Sequence, residues 1–213
     1  ILSRMANERF LVDSAKVGRM TSVDRNAIHA MPSAISSRVL ELAWRECSGS
    51  GSSLPLRRVQ ELLYGDKDVV TLPEEVTCER TVNAYRFFPK VPADVCVELK
   101  EDGETQVPEL GLSFVMRTVA GTSRDVLPAK ERSVATGCVP WDNLSMFTEP
   151  LVKFDRNKVR GPLFVRIRRE GDKFKPFGMG GSEQKIQDFL VQRKVTRFYR
   201  DFVPLVHDSS DIV

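Results

Sequence analysis

The chain has 213 residues, of which 41% are hydrophobic and 29% are charged, and its net charge is +3. This is the composition of an ordinary globular protein with room for one or two hydrophobic cores. No apolar run approaches membrane-spanning length and the first residues do not resemble a signal peptide, so we expect no membrane partner. Because the chain begins with Ile1 rather than Met, we expect it to be a piece of a longer protein.

Cysteine and histidine usage argues against a zinc site. The four cysteines lie far apart without a C-x-x-C pair, and the chain has only two histidines. Such cysteines are typical of reduced core thiols in a cytoplasmic protein. We therefore predict no metal ligands and a cytoplasmic location. The residues concerned are Cys47, Cys78, Cys96, Cys138, His29 and His207.

The apolar spacing of residues 1–64 predicts helices. Pro32 opens a helix whose apolar residues recur at helical spacing. A Ser- and Gly-rich connector at residues 47–53 leads to a further helix, which Gly65 ends. This part of the chain is therefore predicted to be a helical domain.

The segment that follows predicts a change of structure and then a linker. Residues 66–88 have the pattern of short strands around a turn at Leu72-Pro73. Residues 89–92 (PKVP) are typical of a linker, so we place a domain boundary there.

We predict an α+β protein of two domains. Residues 1–90 form a small helical domain with a short strand pair, and residues 91–213 form a mixed α/β domain of short strands and C-terminal helices. Asp102-Gly103 predicts a hairpin turn in the second domain. The candidate strands before the last fifty residues are 95–99, 112–118, 133–139 and 151–154.

Residues 163–169 alternate apolar and basic side chains, which is the period of a half-buried strand. Arg166 and Arg168 lie on its polar face. An irregular loop follows, and then a predicted helix that buries the face carrying Ile186 and Leu190.

The turn before that helix has the composition of an anion site. Ser182 is a suitable N-cap, which would place Lys185 in the first helical turn, where the helix dipole disfavours a cation. Glycines ahead of free helical N–H groups, beside a cation, suit a phosphate. We predict a phosphate site at Gly180, Gly181 and Ser182. The alternative is that the glycines only turn the chain and Lys185 is solvated.

Positive charge is concentrated near the C-terminus. Residues 151–200 contain fourteen Lys and Arg against five Asp and Glu, a net charge of +9, so the rest of the chain carries −6. A basic face on a nearly neutral protein indicates a polyanionic partner.

Four successive blocks in this basic region resemble the C-terminal domain of tRNA(Ile)-lysidine synthases. That family typically has R-x-R-x-G-D-R-F-x-P-x-G, K-K-L-x-D-F-F, I-P-R-x-x-R-D and P-L-V, in this order. This chain has Lys173 in place of an arginine of the first block. Residues 1–90 are more loosely similar to the family's middle, substrate-binding domain. The matching blocks are residues 166–178, 185–189, 197–201 and 204–206.

The resemblance implies a role in tRNA modification. The family uses ATP to attach lysine to the wobble cytidine of a minor isoleucine tRNA, which is an ATP-dependent carbon–nitrogen ligation. Its ATP site lies in an N-terminal domain with an S-G-G-x-D-S loop, which is absent from this sequence, as are Walker and nucleophile-elbow motifs. We therefore predict no catalytic residues and no cofactor in this chain. ATP and lysine would serve the full-length enzyme, and the N-terminal ATP-binding domain would be a partner.

By the same resemblance, both domains would bind tRNA, and lysines and arginines would contact its phosphates. Arg169 and Asp172 are predicted to shape the loop as an ion pair. Two alternatives remain: a tRNA-binding appendage of another enzyme, such as an aminoacyl-tRNA synthetase, and a protein-interaction module that docks an acidic partner. The predicted tRNA contacts are Arg166, Arg168, Lys173, Lys185, Arg197 and Arg200.

Overall fold

The computed structural model describes residues 1–119, 155–176, 180–210 and 212. They form two compact units: Ile1–Lys90, and the described residues from Val91 onward. Each unit has a hydrophobic core of its own. Helices and small antiparallel sheets occur together, which confirms the predicted α+β class. The assignment of each unit as a separate tRNA-binding domain stays a prediction.

The first unit contains four helices, and the predicted helix starting at Pro32 and the one ending at Gly65 are both confirmed. Pro32 is the N-cap of the longest helix, and the backbone N–H of Gly65 closes the last turn of the fourth. The helices are α1 (Leu2–Asp13), α2 (Arg25–Ala30), α3 (Ser33–Ser48) and α4 (Leu56–Tyr64).

A five-stranded antiparallel sheet in the order β1-β2-β5-β4-β3 completes the first unit. The predicted strand pair is confirmed as part of this sheet, but the helical interpretation of residues 14–24 is wrong. These residues form a hairpin whose second strand is paired with β5, about sixty residues further along the chain. The strands are β1 (Ser14–Val17), β2 (Met20–Asp24), β3 (Val69–Thr71), β4 (Thr77–Arg80) and β5 (Ala84–Phe88).

Helix α3 packs one face on this sheet and supplies much of the core. Trp44 is buried there, and its indole N–H donates to the carbonyl of Pro73 at 3.1 Å. Cys47 and Cys78 are buried in the same core, as predicted, and burial raises the pKa of Cys47 to about 12. Both thiols are therefore protonated and unreactive at neutral pH.

The second unit is built on a three-stranded antiparallel sheet in the order β12-β9-β6. Its central strand, β9, is the predicted amphipathic strand, and Val165 at its middle is fully buried. A hairpin, a two-residue ribbon and two short helices accompany the sheet. The elements are β6 (Cys96–Glu98), β7 (Glu104–Val107), β8 (Leu112–Val115), β9 (Phe164–Ile167), β10 (Lys173–Phe174), β11 (Gln184–Lys185), α5 (Ile186–Gln192), α6 (Arg197–Arg200) and β12 (Pro204–His207).

Two predictions in this unit are corrected. Asp102-Gly103 does not close a hairpin, because β6 pairs with β9 and β7 pairs with β8. The hairpin turn lies instead at residues 108–111, where the N–H of Leu110 and that of Gly111 bond back to earlier carbonyls. The strands predicted at 95–99 and 112–118 are present, and those predicted at 133–139 and 151–154 lie outside the described residues.

The second correction concerns the start of the helix after the Gly-rich turn. Helix α5 begins at Ile186 rather than at Glu183, because Gln184 and Lys185 pair with β10. The backbone N–H of Ile186 then donates to the carbonyl of Asp172 at 3.0 Å. Within the described ranges, no helix is long and apolar enough to cross a bilayer.

Candidate nucleic-acid interface

The basic residues of the second unit fall into two groups, and Arg166 represents the first. Strand β9 buries Val165 in the core, so the next side chain lies on the opposite face. There the Arg166 guanidinium donates to both carboxylate oxygens of Asp172, at 2.7 and 2.8 Å. The two side chains are only 11% and 14% exposed. Arg166 is therefore committed to a nearly buried bidentate ion pair.

Asp172 connects three parts of the unit. Its carboxylate also accepts a hydrogen bond from the backbone N–H of Arg169 at 2.6 Å, and its carbonyl accepts the N–H of Ile186. Burial alone would raise the pKa of this carboxyl, but the hydrogen bonds from Arg166 and Arg169 outweigh burial and lower the pKa. Asp172 thus shapes the loop as predicted, but its ion-pair partner is Arg166, and Arg169 contributes its backbone.

Arg168 and Arg200 are also engaged within the protein. The Arg168 guanidinium forms an ion pair with Asp201, which follows helix α6. The Nε of Arg200 donates to the carbonyl of Val195 at 2.7 Å. Asp201 was not among the residues singled out from the sequence, since nothing local links two side chains 33 positions apart.

The second group consists of exposed cations on a short antiparallel ribbon. Lys173 and Lys185 are direct cross-strand partners, so their side chains lie on the same face. The Nζ of Lys173 is 3.5 Å from Glu183, and both of these side chains are 53% exposed. Lys185 is exposed, and no ion pair joins it to an acid among the described residues. We call Lys173, Phe174, Gln184 and Lys185 the lysine ribbon.

Aromatic packing holds the lysine ribbon against helix α5. The ring of Phe174 meets that of Phe189 edge to face, with centroids 5.1 Å apart. The guanidinium of Arg193 lies 5.2 Å from the centroid of the same Phe189 ring. Arg193 is exposed, as is Arg197 at the start of α6. The ribbon and the two short helices therefore present several solvent-facing cations.

The Gly-rich turn lies beside this ribbon. Gly180 and Gly181 adopt positive φ of 61° and 86°, and both are exposed, as is Ser182. Ser182 is not the N-cap and Lys185 is not in the first helical turn, because the helix starts later than predicted. The geometric reason for a phosphate site at the helix start is therefore wrong, and phosphate binding by these three residues stays a prediction.

The described residues were examined for side chains that could together bind a metal ion. Among residues 1–119, 155–176, 180–210 and 212, no three His, Cys, Asp or Glu side chains cluster closely enough to hold a metal ion. His207 is stacked on Phe164 with ring centroids 5.5 Å apart. The described part of the second unit is characterised instead by exposed basic side chains.

Comparison with known proteins finds similarity in this part of the chain. A family model described as "TilS substrate C-terminal domain" matches residues 163–213, which include the lysine ribbon and both arginine ion pairs. The resemblance predicted from the sequence is confirmed. Residues 163–213 are referred to below as the TilS C-terminal domain.

Relatives of the chain extend the similarity beyond the TilS C-terminal domain. The tRNA(Ile)-lysidine synthase of Symbiobacterium thermophilum is 28% identical over 207 residues, 91% of this chain and 39% of that protein. The synthase of Clostridioides difficile is 40% identical over 151 residues, 71% of this chain and 26% of that protein. The synthase of Clostridium acetobutylicum is 22% identical over 212 residues, 99% of this chain and 43% of that protein. The chain therefore spans at most about two fifths of these relatives' length.

Proposed function

We propose that this chain is the tRNA-recognition portion of a tRNA(Ile)-lysidine synthase. In this proposal it holds a minor isoleucine tRNA while a separate N-terminal domain uses ATP to attach lysine to the wobble cytidine. The chain itself contributes binding and orientation, in the cytoplasm, and no catalytic group.

The observation that carries the proposal is the lysine ribbon inside the TilS C-terminal domain. Like charges directly opposite each other on an antiparallel pair repel at Cβ separations of about 5 Å, which costs stability. One of the two lysines has only a solvent-exposed acid beside it. An RNA phosphate between them would convert this repulsion into attraction and release counterions.

Within the predicted contact set, we assign different roles to the two groups. Lys173, Lys185 and Arg197 are exposed and would contact phosphates. Arg166, Arg168 and Arg200 are held by protein partners and would orient the surface instead. The reason is strongest for Arg166, whose guanidinium is nearly buried and donates to both carboxylate oxygens of Asp172. Arg168 and Arg200 each have one such contact, to Asp201 and to the carbonyl of Val195, which holds the side chain in place.

The test is to measure binding of the 213-residue chain to a transcript of a minor isoleucine tRNA at increasing salt. Binding should weaken along a log–log line whose slope is roughly −0.7 to −0.9 per phosphate contacted, so three contacts give a slope of about −2 to −3. An affinity that does not change between about 50 and 200 mM salt, the range over which phosphate contacts weaken strongly, would contradict the proposal.

A further inference from the structure

A polar cluster on the first unit resembles a preorganised donor site. Tyr85 on β5 is buried, but its hydroxyl reaches the Nε2 atom of His29 on α2, at 3.1 Å. His29 itself is exposed. An exposed histidine tied at one nitrogen to a buried hydroxyl has its ring orientation set by the core.

The contacts of Arg25 indicate the direction of the hydrogen bond between Tyr85 and His29. Its guanidinium donates to the carbonyl of Thr81 at 2.9 Å and also lies against the Tyr85 hydroxyl. Burial raises the pKa of Tyr85, with a smaller opposing effect of Arg25, so the hydroxyl keeps its proton. Arginine can only donate, so the hydroxyl proton is free to be donated to Nε2 of His29. With Nε2 as the acceptor, the ring N–H of His29 is at Nδ1, and no hydrogen bond joins that atom to another described residue.

The surroundings of His29 fit a polar, anionic ligand rather than a cation. Asp24, the acid closest in sequence, accepts the backbone N–H of Ala27 at 2.8 Å as the cap of α2 and is thereby occupied. The backbone N–H of Arg25 bonds to the carbonyl of Asn83, which joins α2 to the exposed β4–β5 turn. An oriented imidazole N–H, and a guanidinium that contacts the same Tyr85 hydroxyl, are both donors of the kind that bind phosphodiester oxygens.

We propose that Arg25, Tyr85 and His29 form a second RNA-contact site, at which His29 donates from Nδ1 to a phosphodiester oxygen and Tyr85 is a positioning residue. This inference rests on the proposed tRNA-binding function and extends it to named residues of the first unit. The site differs from the lysine ribbon because its donor is an imidazole N–H whose ring is held by a buried hydroxyl, not an exposed ammonium group. An uncharged donor displaces no counterion, so its loss lowers affinity equally at all salt concentrations, and the assay is therefore run at about pH 8.5, above the ordinary imidazole pKa of about 6.5.

The experiment measures affinity of the 213-residue chain for the same tRNA transcript across a salt series. His29→Ala should weaken binding about three- to tenfold, the range expected for one hydrogen bond, with an unchanged salt slope. His29→Gln should retain most of the affinity, because its amide can accept from Tyr85 and donate outward. Tyr85→Phe should weaken binding less than His29→Ala, and this effect should vanish when His29 is already alanine.

The controls separate this site from the proposed function. Arg57→Ala removes an exposed cation on α4. The loss of affinity caused by His29→Ala should be the same with and without this change. Thermal unfolding of each variant shows whether the fold is retained. His29 is exposed, so His29→Ala should remain folded, with only a small decrease in unfolding temperature from the lost hydrogen bond to Tyr85. The inference would be overturned if His29→Ala left the affinity unchanged or altered the salt slope. It would also be overturned if the effects of His29→Ala and Tyr85→Phe on affinity were additive. If Lys185→Glu reduces the salt slope in the same assay, the proposed function stands regardless of that outcome.

Discussion

Arg166 and Lys173 carry the same charge and lie seven positions apart in one basic segment, but they differ in burial and in the charged groups around them. Arg166 is nearly buried and bound at two points to Asp172, whereas Lys173 is half exposed, with one exposed acid 3.5 Å away and another lysine directly across the ribbon. The comparison teaches that a cluster of basic residues does not by itself define a binding surface. The cations available to a ligand are those whose charge the fold leaves uncompensated.

The largest difference between Arg166 and Lys173 should appear when Asp172 is removed. In Asp172→Ala the guanidinium of Arg166 would be left nearly buried without its counter-charge, and the N–H of Arg169 would lose its acceptor. We expect the free energy of unfolding to fall by about 3 kcal/mol, measured by urea denaturation.

Glu183→Ala is the matched control, since it removes the acid of the exposed pair with Lys173. Exposed pairs contribute about 0–1 kcal/mol, so this variant should unfold at nearly the wild-type urea concentration. If Asp172→Ala and Glu183→Ala lower the free energy of unfolding by similar amounts, burial does not distinguish the ion pair of Arg166 from that of Lys173.

The second test reverses the charge of the lysine ribbon. The double variant Lys173→Glu, Lys185→Glu should bind the tRNA transcript at least about tenfold more weakly, with a salt slope smaller by roughly 1.5, because two phosphate contacts are lost. Its free energy of unfolding should fall by no more than about 1 kcal/mol, since only the exposed Lys173–Glu183 pair is lost and the cross-strand pair carries like charges in both forms.

A double variant with the same change in net charge supplies the control. Lys100→Glu with Arg117→Glu alters two exposed cations of the same unit that lie outside the TilS C-terminal domain. If this pair weakens binding as much as the ribbon variant does, the effect reflects net charge and the assignment of the ribbon fails.

The smallest expected effect is the pH dependence contributed by Asp172. Because the pKa of Asp172 is lowered in the folded state, its contribution to stability is complete above its unfolded value of about 4. The contribution is lost as the pH falls through the lowered pKa, where the carboxylate must be protonated. Asp172→Asn carries no titrating group, so the stability difference between wild type and this variant should be largest above about pH 5 and shrink below pH 4. A difference that stays constant from pH 6 to pH 3 would show that the charge of Asp172 does not stabilise the fold.

The sequence pattern correctly predicted the elements that are determined by residues close together along the chain. The alternation around Val165 predicted β9, and Pro32 and Gly65 marked helix ends that the structure retains. The same reasoning failed for residues 14–24, where β2 forms because β5 lies beside it. It failed again at Ser182, which has the composition of a helix cap but precedes two residues that pair with β10.

The α+β class, the concentration of charge near the C-terminus and the resemblance to tRNA(Ile)-lysidine synthases could all be predicted from the sequence, because they follow from composition, periodicity and motif order along the chain. Only the tertiary structure decided which of the basic residues are available. Arg166, Arg168 and Lys173 belong to one basic stretch, yet two of them meet acids brought close by the packing of loop and helix, and the third faces Lys185 across the ribbon. Electrostatic interaction depends on distance in space and on burial, and neither can be read from positions along a sequence.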